Sequence, residues 1–185
     1  MGAISFSVCR TSRKGSKMEF KIRRAGNEDI SGMMRVMEEA RENPGHPDWF
    51  VADDEEYIQD HLDGKGFAVV AEAGNGDIAG FFVVKYPEQD NNLGTFLGYS
   101  AEQLGQTVIM DSAAVAEIYR GHGLQGKMLD AAEERIDDNR WRYLLCTVHP
   151  DNIYSLSNME SHGYVKRAEV TCYGGRRRYV LEKMI

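Results

Sequence analysis

Eight consecutive residues carry the most specific chemistry in the chain: Tyr119, Arg120, Gly121, His122, Gly123, Leu124, Gln125 and Gly126. Before them, residues 108–115 read as a strand of β-branched and small apolar residues, interrupted by Asp111 and Ser112. After them, Leu124, Met128, Leu129, Ala132 and Ile136 recur at helical spacing. A glycine-rich turn from strand to helix leaves several backbone N–H groups without intrahelical partners. Together with the helix dipole these groups form a cradle for phosphate, and glycine lets a ligand approach the main chain closely. The residues point to a pyrophosphate ligand; an ordinary glycine-rich connection is the alternative.

Two common phosphate loops can be tested against the spelling. A P-loop ends in Gly-Lys-Ser/Thr, and Gly126-Lys127-Met128 lacks the hydroxyl that would reach magnesium. The string Gly121-His122-Gly123-Leu124-Gln125-Gly126 does match G-x-G-x-x-G. That dinucleotide fingerprint belongs in the first turn of a βαβ unit, with an acidic residue on the next strand. Here it lies two-thirds of the way along the chain, and the following strand ends in His149-Pro150 with no carboxylate for a ribose.

The surrounding residues resemble the GNAT superfamily of acyl-CoA-dependent N-acyltransferases. Arg120 and Gly123 fit its loop pattern Gln/Arg-x-x-Gly-x-Gly/Ala, with Gln125 at the final small position. Asn152, Ser155, Gly163 and Tyr164 fit, in register, its downstream pattern Asn-x-x-Ala…Gly-Phe. Residues 20–30 resemble the opening strand and first helix, so the resemblance spans about residues 19–183.

The resemblance implies acetyl-CoA as acyl donor, in a cleft between the fourth and fifth strands, residues 108–115 and 143–148. Main-chain groups of Ala113, Ala114 and Val115 would pair with the pantetheine arm. The Val115 N–H would polarise the thioester carbonyl. The amides from Gly121 through His122, Gly123, Leu124 and Gln125 to Gly126 would hold the pyrophosphate. Arg120 either adds charge there or packs outward. Asn152 either contacts the pantetheine or simply caps a helix, and Ser155 stands beside it. The family usually supplies a proton to the departing thiolate from a tyrosine seven places after the asparagine, and this chain has Met159 there. Tyr154, Ser155 and Ser157 are nearby hydroxyls, with Tyr154 the best match in acidity; solvent is the other proton source. Asp111 is the expected base or ammonium ligand, a strand-end aspartate bonded to backbone being its alternative role. Glu117, His122 and His149 are read as a solvated carboxylate, an exposed loop residue and a structural histidine, the alternatives being that Glu117 faces the amine and that His149 acts as a base. The function implied is N-acetyl transfer to a primary amine of a small molecule or peptide. A non-catalytic acyl-CoA-binding or regulatory module on the same fold is the alternative favoured by Met159, and an unrelated NAD- or ATP-binding enzyme is the third reading.

The elements that must position these residues follow from pattern. Residues 19–24 read as a strand, and a helix reaches about Arg41 with Asn27 or Ser31 as its cap. Asp53 and Asp54 open a short acidic helix, and residues 67–73 and 78–86 form a hairpin across an Ala-Gly-Asn-Gly-Asp turn. Residues 87–105 make a connection longer than a hairpin needs. The helix after the glycine loop is expected to run to about Asn139, followed by a strand at 143–148, a helix at 153–161 and strands at 164–173 and 178–182. The expected architecture is a single α/β domain, GNAT-like, with a mixed, mostly antiparallel twisted sheet flanked by helices. Residues 87–105 and 38–54 are expected to shape the acceptor pocket. Within the first, Phe96, Leu97 and Tyr99 form either its wall or an anchor for the loop.

Composition sets the outer bounds. At 185 residues, with 42% hydrophobic and 28% charged residues, the chain has the make-up of one globular domain. A net charge of −7 argues against general nucleic-acid binding. No apolar run approaches the ~20 residues of a membrane helix. Cys9, Cys146 and Cys172 show neither metal spacing nor a paired framework, which fits a reducing cytoplasmic setting, with Cys146 a packing residue. No metal site is expected, and a homodimer is compatible with the composition. Residues 1–17, basic and serine-rich before Met18, read as a disordered extension to a domain spanning 18–185.

Overall fold

The computed structural model describes residues 18–42 and 45–185; the expected extension at 1–17 lies outside them. Seven strands form one sheet in the order β1-β2-β3-β4-β5-β7-β6. They are β1 (Phe20–Arg24), β2 (Gly66–Ala73), β3 (Ile78–Lys85), β4 (Thr107–Val115), β5 (Tyr143–Val148), β6 (Val165–Cys172) and β7 (Arg176–Met184). Every neighbouring pair is antiparallel except β4 and β5. The helices are α1 (Ile30–Arg41), α2 (Glu55–Asp60), α3 (Ala101–Leu104), α4 (Leu124–Glu133) and α5 (Ile153–Ser161).

β2 and β3 are buried at nearly every position, so helices cover both faces of the sheet's centre. Met33, Val36 and Met37 of α1 and Leu124, Met128, Leu129 and Ala132 of α4 supply that cover. At Gly80 the close approach is tight: a Cβ there would meet the Ala114 carbonyl oxygen at 2.8 Å and the Met128 methyl at 3.0 Å.

Two expected details change. Neither Asn27 nor Ser31 caps the first helix. A 3-10 turn (Asn27–Asp29) leads into α1 instead, and Asp29 is committed to Gly26 N–H at 2.9 Å and to the Arg23 guanidinium at 2.6 and 2.8 Å. α4 stops at Glu133, six residues short of Asn139. There the Asp137 carboxylate accepts from Asn139 N–H at 3.0 Å, and a short polar side chain that bonds nearby backbone competes with helix continuation. The acidic α2 is capped as its sequence suggests, with Asp54 accepting from Tyr57 N–H at 2.8 Å.

Candidate active site

β4 and β5 pair only at Thr107↔Tyr143, Val108↔Leu144 and Ile109↔Leu145. Beyond these, β4 stays with β3 through Val115 and β5 stays with β7 through Val148, so the two strands part and leave facing edges without a strand partner. A cavity of about 1290 Å³ opens at this splay. Its lining runs from the glycine loop, past Ala113 to Val115, to Asp53, Tyr57 and Asp111.

The hydrogen-bond phase of β4 decides which main-chain groups face the cleft. Ala116 N–H donates to the Ala79 carbonyl at 2.9 Å, flanking the pair Gly80↔Val115. That makes Gly80↔Val115 a non-hydrogen-bonded pair, whose own N–H and C=O point away from β3. Val115, and by the same alternation Ala113, therefore turn their main-chain groups toward the splay. Ala114 turns its groups to β3, which corrects its expected place beside Ala113 and Val115 as a main-chain ligand. The Val115 carbonyl accepts from Arg120 Nε at 3.3 Å. The exposed Arg120 thus folds back on the strand rather than outward.

At the cleft's other end, a 3-10 turn (Glu117–Tyr119) delivers the chain to the glycine loop. Gly121 and Gly123 have φ of +83° and +67°, the left-handed region that glycine adopts without a Cβ penalty. Gly123 is the N-cap of α4 and carries no capping side chain, so the first-turn amides of Leu124, Gln125 and Gly126 have no side-chain cap. Gly126 has a second reason to be glycine: a Cβ would meet Asn158 Oδ1 and His162 Cε1 at 3.1 Å across the α4–α5 contact. His122 is exposed, and its ring lies 5.1 Å from that of Phe20. Gln125 Nε2 reaches Ser155 Oγ at 3.4 Å. Asn152 caps α5 by accepting from Ser155 N–H at 3.1 Å. Asn158, which nothing in its local sequence singles out, also lines the cleft, and its buried Nδ2 has no hydrogen-bond partner. A buried donor without a partner costs free energy that a ligand acceptor would relieve.

The end of the cleft beside α2 is built by a β-bulge. Between Phe82↔Ala113 and Val84↔Met110, β4 carries one residue more than β3, and the extra residue falls at Asp111–Ser112. Bulges re-aim side chains, and here two adjacent residues both reach the α2 side. Tyr57 donates from its hydroxyl to the Asp111 carboxylate, while Ser112 Oγ donates to Asp53 at 2.8 Å. Burial, with the nearby Asp53 charge, pushes Asp111 up to about 7. Burial raises Asp53 as well, although the Ser112 hydrogen bond opposes the shift. Both carboxylates have neutral hydroxyl partners, and the lysine whose charge acts on Asp53 is Lys85. Lys85, on β3, also lines the cleft, and burial lowers its pKa. Beneath it the buried His61 is held by Tyr57 O at 2.7 Å, and burial pulls it down to about 4.

The outer walls come from the two expected segments. His46 and Trp49 stack at 3.5 Å between ring centroids, with Phe50 beside them. Arg178, buried on β7, ties this stretch down by donating to the Asp48 carbonyl at 2.7 Å. Phe96, 46% exposed, belongs to the cleft wall. Leu97 and Tyr99 instead pack under the loop against Leu93, Ile109 and Leu145, and so anchor it. Met159 is buried in the core at 3% exposure, whereas Tyr154 stands at the rim and is 75% exposed. His149 edges the cleft, lowered by burial and by the Arg178 charge. Glu117 is exposed, and its N–H is held by Glu39. Among the described residues no cluster of His, Cys, Asp or Glu is arranged to hold a metal ion. No described helix is long and apolar enough to cross a membrane.

Solved structures share this architecture. A GNAT-family acetyltransferase from Streptococcus pneumoniae aligns over 90% of this chain and 100% of its own, at TM-score 0.69 and 18% identity. A ribosomal-protein-alanine N-acetyltransferase from Brucella melitensis aligns over 89% and 99%, at TM-score 0.68 and 18% identity. A NatC complex bound to Gag peptide and CoA contains a chain that aligns over 91% and 99%, at TM-score 0.68 and 16% identity. At such identities the likeness shows the fold. No curated protein matches the chain by sequence. The sequence profile of the Acetyltransferase (GNAT) family matches residues 33–164, well over half of the chain. The sheet splays between β4 and β5 with an uncapped glycine loop at one end of the opening, and on the profile match the chain belongs to the acetyltransferase (GNAT) family.

Proposed function

We propose that this acyltransferase moves an acetyl group from acetyl-CoA to a cationic primary amine by direct attack. The observation that carries the reading is Asp111, turned by the bulge into the cleft where β4 and β5 part, with its acidity weakened to about 7. The amides of Gly121, His122, Gly123, Leu124, Gln125 and Gly126 hold the pyrophosphate. The main-chain groups of Ala113 and Val115 and the Asn158 Nδ2 hold the pantetheine. The α5 cap at Asn152 and Ser155 forms the adjoining wall.

An amine enters as its ammonium and is drawn to the Asp53–Asp111 pair. Ionised Asp111 accepts a proton, directly or through one water, and frees the nitrogen lone pair. That lone pair attacks the thioester carbonyl carbon, and the Val115 N–H donates to the oxygen on which negative charge builds. The C–S bond then breaks, the pair leaving on sulfur, and the nitrogen's second proton is lost to solvent as the amide forms. A cytoplasmic setting accompanies this reading, supported by the free thiols of Cys146 and Cys172.

The test begins with calorimetric titration of acetyl-CoA, with desulfo-CoA and NAD as controls. A panel of amines then follows, on wild type and Asp111→Asn. Binding of the CoA compounds but not NAD, and amine turnover lost in the variant, is the expected result. Absence of CoA binding by folded protein would overturn the reading. Met159 keeps one alternative open, a non-catalytic acyl-CoA-binding module, which predicts CoA binding with no turnover on any amine.

A further inference from the structure

The reaction just described leaves a thiolate, and the helix position from which this family usually protonates it is occupied by Met159, buried in the core. Another phenol reaches the splay from a different direction. Two residues beyond the last β4–β5 pair, Ile109↔Leu145, stand Asp111 on one lip of the cleft and Thr147 on the other. Thr147 Oγ1 lies 3.3 Å from the hydroxyl of Tyr173, which comes from the turn joining β6 to β7 and lines the same cavity. Tyr173 has φ of +49° and is the one non-glycine residue with positive φ among the described residues. A tyrosine held in the left-handed region costs roughly 1–2 kcal/mol, and such outliers cluster at functional sites. The turn has glycines at 174 and 175 that take positive φ freely, yet the side chain aimed over the splay stands at 173. Tyr173 is itself 42% exposed, against 75% for Tyr154 at the rim.

The geometry points to Tyr173 as the proton donor to the CoA sulfur, taking the part vacated at position 159; this rests on the acyl-transfer reading above. As the C–S bond breaks and sulfur takes the electron pair, the Tyr173 O–H passes its proton to sulfur. The phenolate is restored by the proton that Asp111 removed from the amine, returned through solvent. The nitrogen's second proton is lost to solvent as the amide forms, so ammonium and thioester give amide, thiol and one released proton, and no oxidant or second reactant is needed. The groups around the phenol are Thr147 from β5, Asp111 from β4, Cys172 from β6 and Arg178 from β7, whose guanidinium lies 5.8 Å from the ring centre. Desolvation at the cleft, with the Asp111 charge, pushes the phenol up to about 12, so it is protonated at neutral pH and yields its proton only as charge builds on sulfur.

Bound CoA itself is the probe, so no acceptor is needed. The ultraviolet absorbance of the thiolate is followed against pH for CoA on wild type, Tyr173→Phe and Thr147→Val, with desulfo-CoA affinity measured alongside. A phenol that donates to sulfur favours the thiolate, so the bound thiol should titrate about one pH unit lower on wild type than on Tyr173→Phe. Thr147→Val, which frees the phenol from its anchor, should move it the same way by less. Desulfo-CoA affinity should stay within about twofold, because the contact is to sulfur alone. An unchanged thiol titration in Tyr173→Phe overturns the assignment while the cofactor reading stands. Equal weakening of CoA and desulfo-CoA makes Tyr173 a structural residue and also overturns it. Failure of wild type to bind either compound removes both readings together.

Discussion

The two ends of the cleft are built from different materials. The end proposed for the cofactor is mostly main chain and nearly continuous in sequence: β4, a 3-10 turn, Gly121 to Gly123 and the first turn of α4. The end proposed for the reacting groups is side chain and discontinuous: Asp53 and Tyr57 before and within α2, Lys85 on β3, Asp111 and Ser112 at the β4 bulge, Tyr173 from the β6–β7 turn. A pyrophosphate and an extended pantetheine ask for rows of N–H and C=O groups, which one strand and one helix terminus supply without special side chains. An amine asks for a base of suitable acidity, and weakening a carboxylate requires burial and a second charge brought from elsewhere in the fold. Substitutions should therefore divide cleanly. Backbone-shape changes in the loop should alter cofactor affinity, and charge changes near the bulge should alter turnover and its pH dependence.

The sharpest break should come at Asp111. Asp111→Asn keeps the shape but cannot take a proton, and kcat on an accepted amine should fall by about 100-fold or more. Next, Gly123→Val forces a β-branched residue to φ of +67°. The strain, with the displaced amides, should weaken acetyl-CoA binding by about tenfold, read by calorimetry, and leave the pH profile alone. Asp53→Asn should sharpen the comparison. Because Asp53 raises Asp111, its removal lowers the pKa of the base. Rate rises with pH as Asp111 ionises through about 7, so the rising limb of kcat/KM should move to lower pH in Asp53→Asn. The smallest effect is expected at Arg120, exposed and bonded to the Val115 carbonyl. Arg120→Ala should change acetyl-CoA affinity by less than about threefold, since exposed charges contribute little.

The same division explains what could be read from sequence. The glycine loop, the strand before it and the helix after it announce themselves because their physics is local: positive φ, β-branched runs and 3.6-residue spacing. Asp111 stood out because it breaks an apolar strand. Its partners Tyr57 and Asp53 did not, because they meet it only after α2 docks beside the bulge. Asp53 was legible only as the start of a helix. The bulge is itself a register effect between β3 and β4 and leaves no mark in β4 alone. Sequence alone groups Ala114 with its neighbours, because hydrogen-bond phase depends on where β3 pairs. Tyr173 lies 26 residues from Thr147, and only the β5–β7–β6 order brings them together. Asn152 offered two roles; its Oδ1 is committed to the α5 cap. The helix to Asn139 fell short because periodicity at Ile136 continues through residues that are turn, where Asp137 takes over the backbone bonds.

The most direct test is to measure acetyl-CoA affinity and amine turnover for Asp111→Asn on one preparation, beside wild type. The account predicts affinity within about twofold of wild type with turnover lost, because the cofactor is held by main chain and the base acts on the amine alone. Affinity and turnover falling together, or turnover persisting, would contradict it.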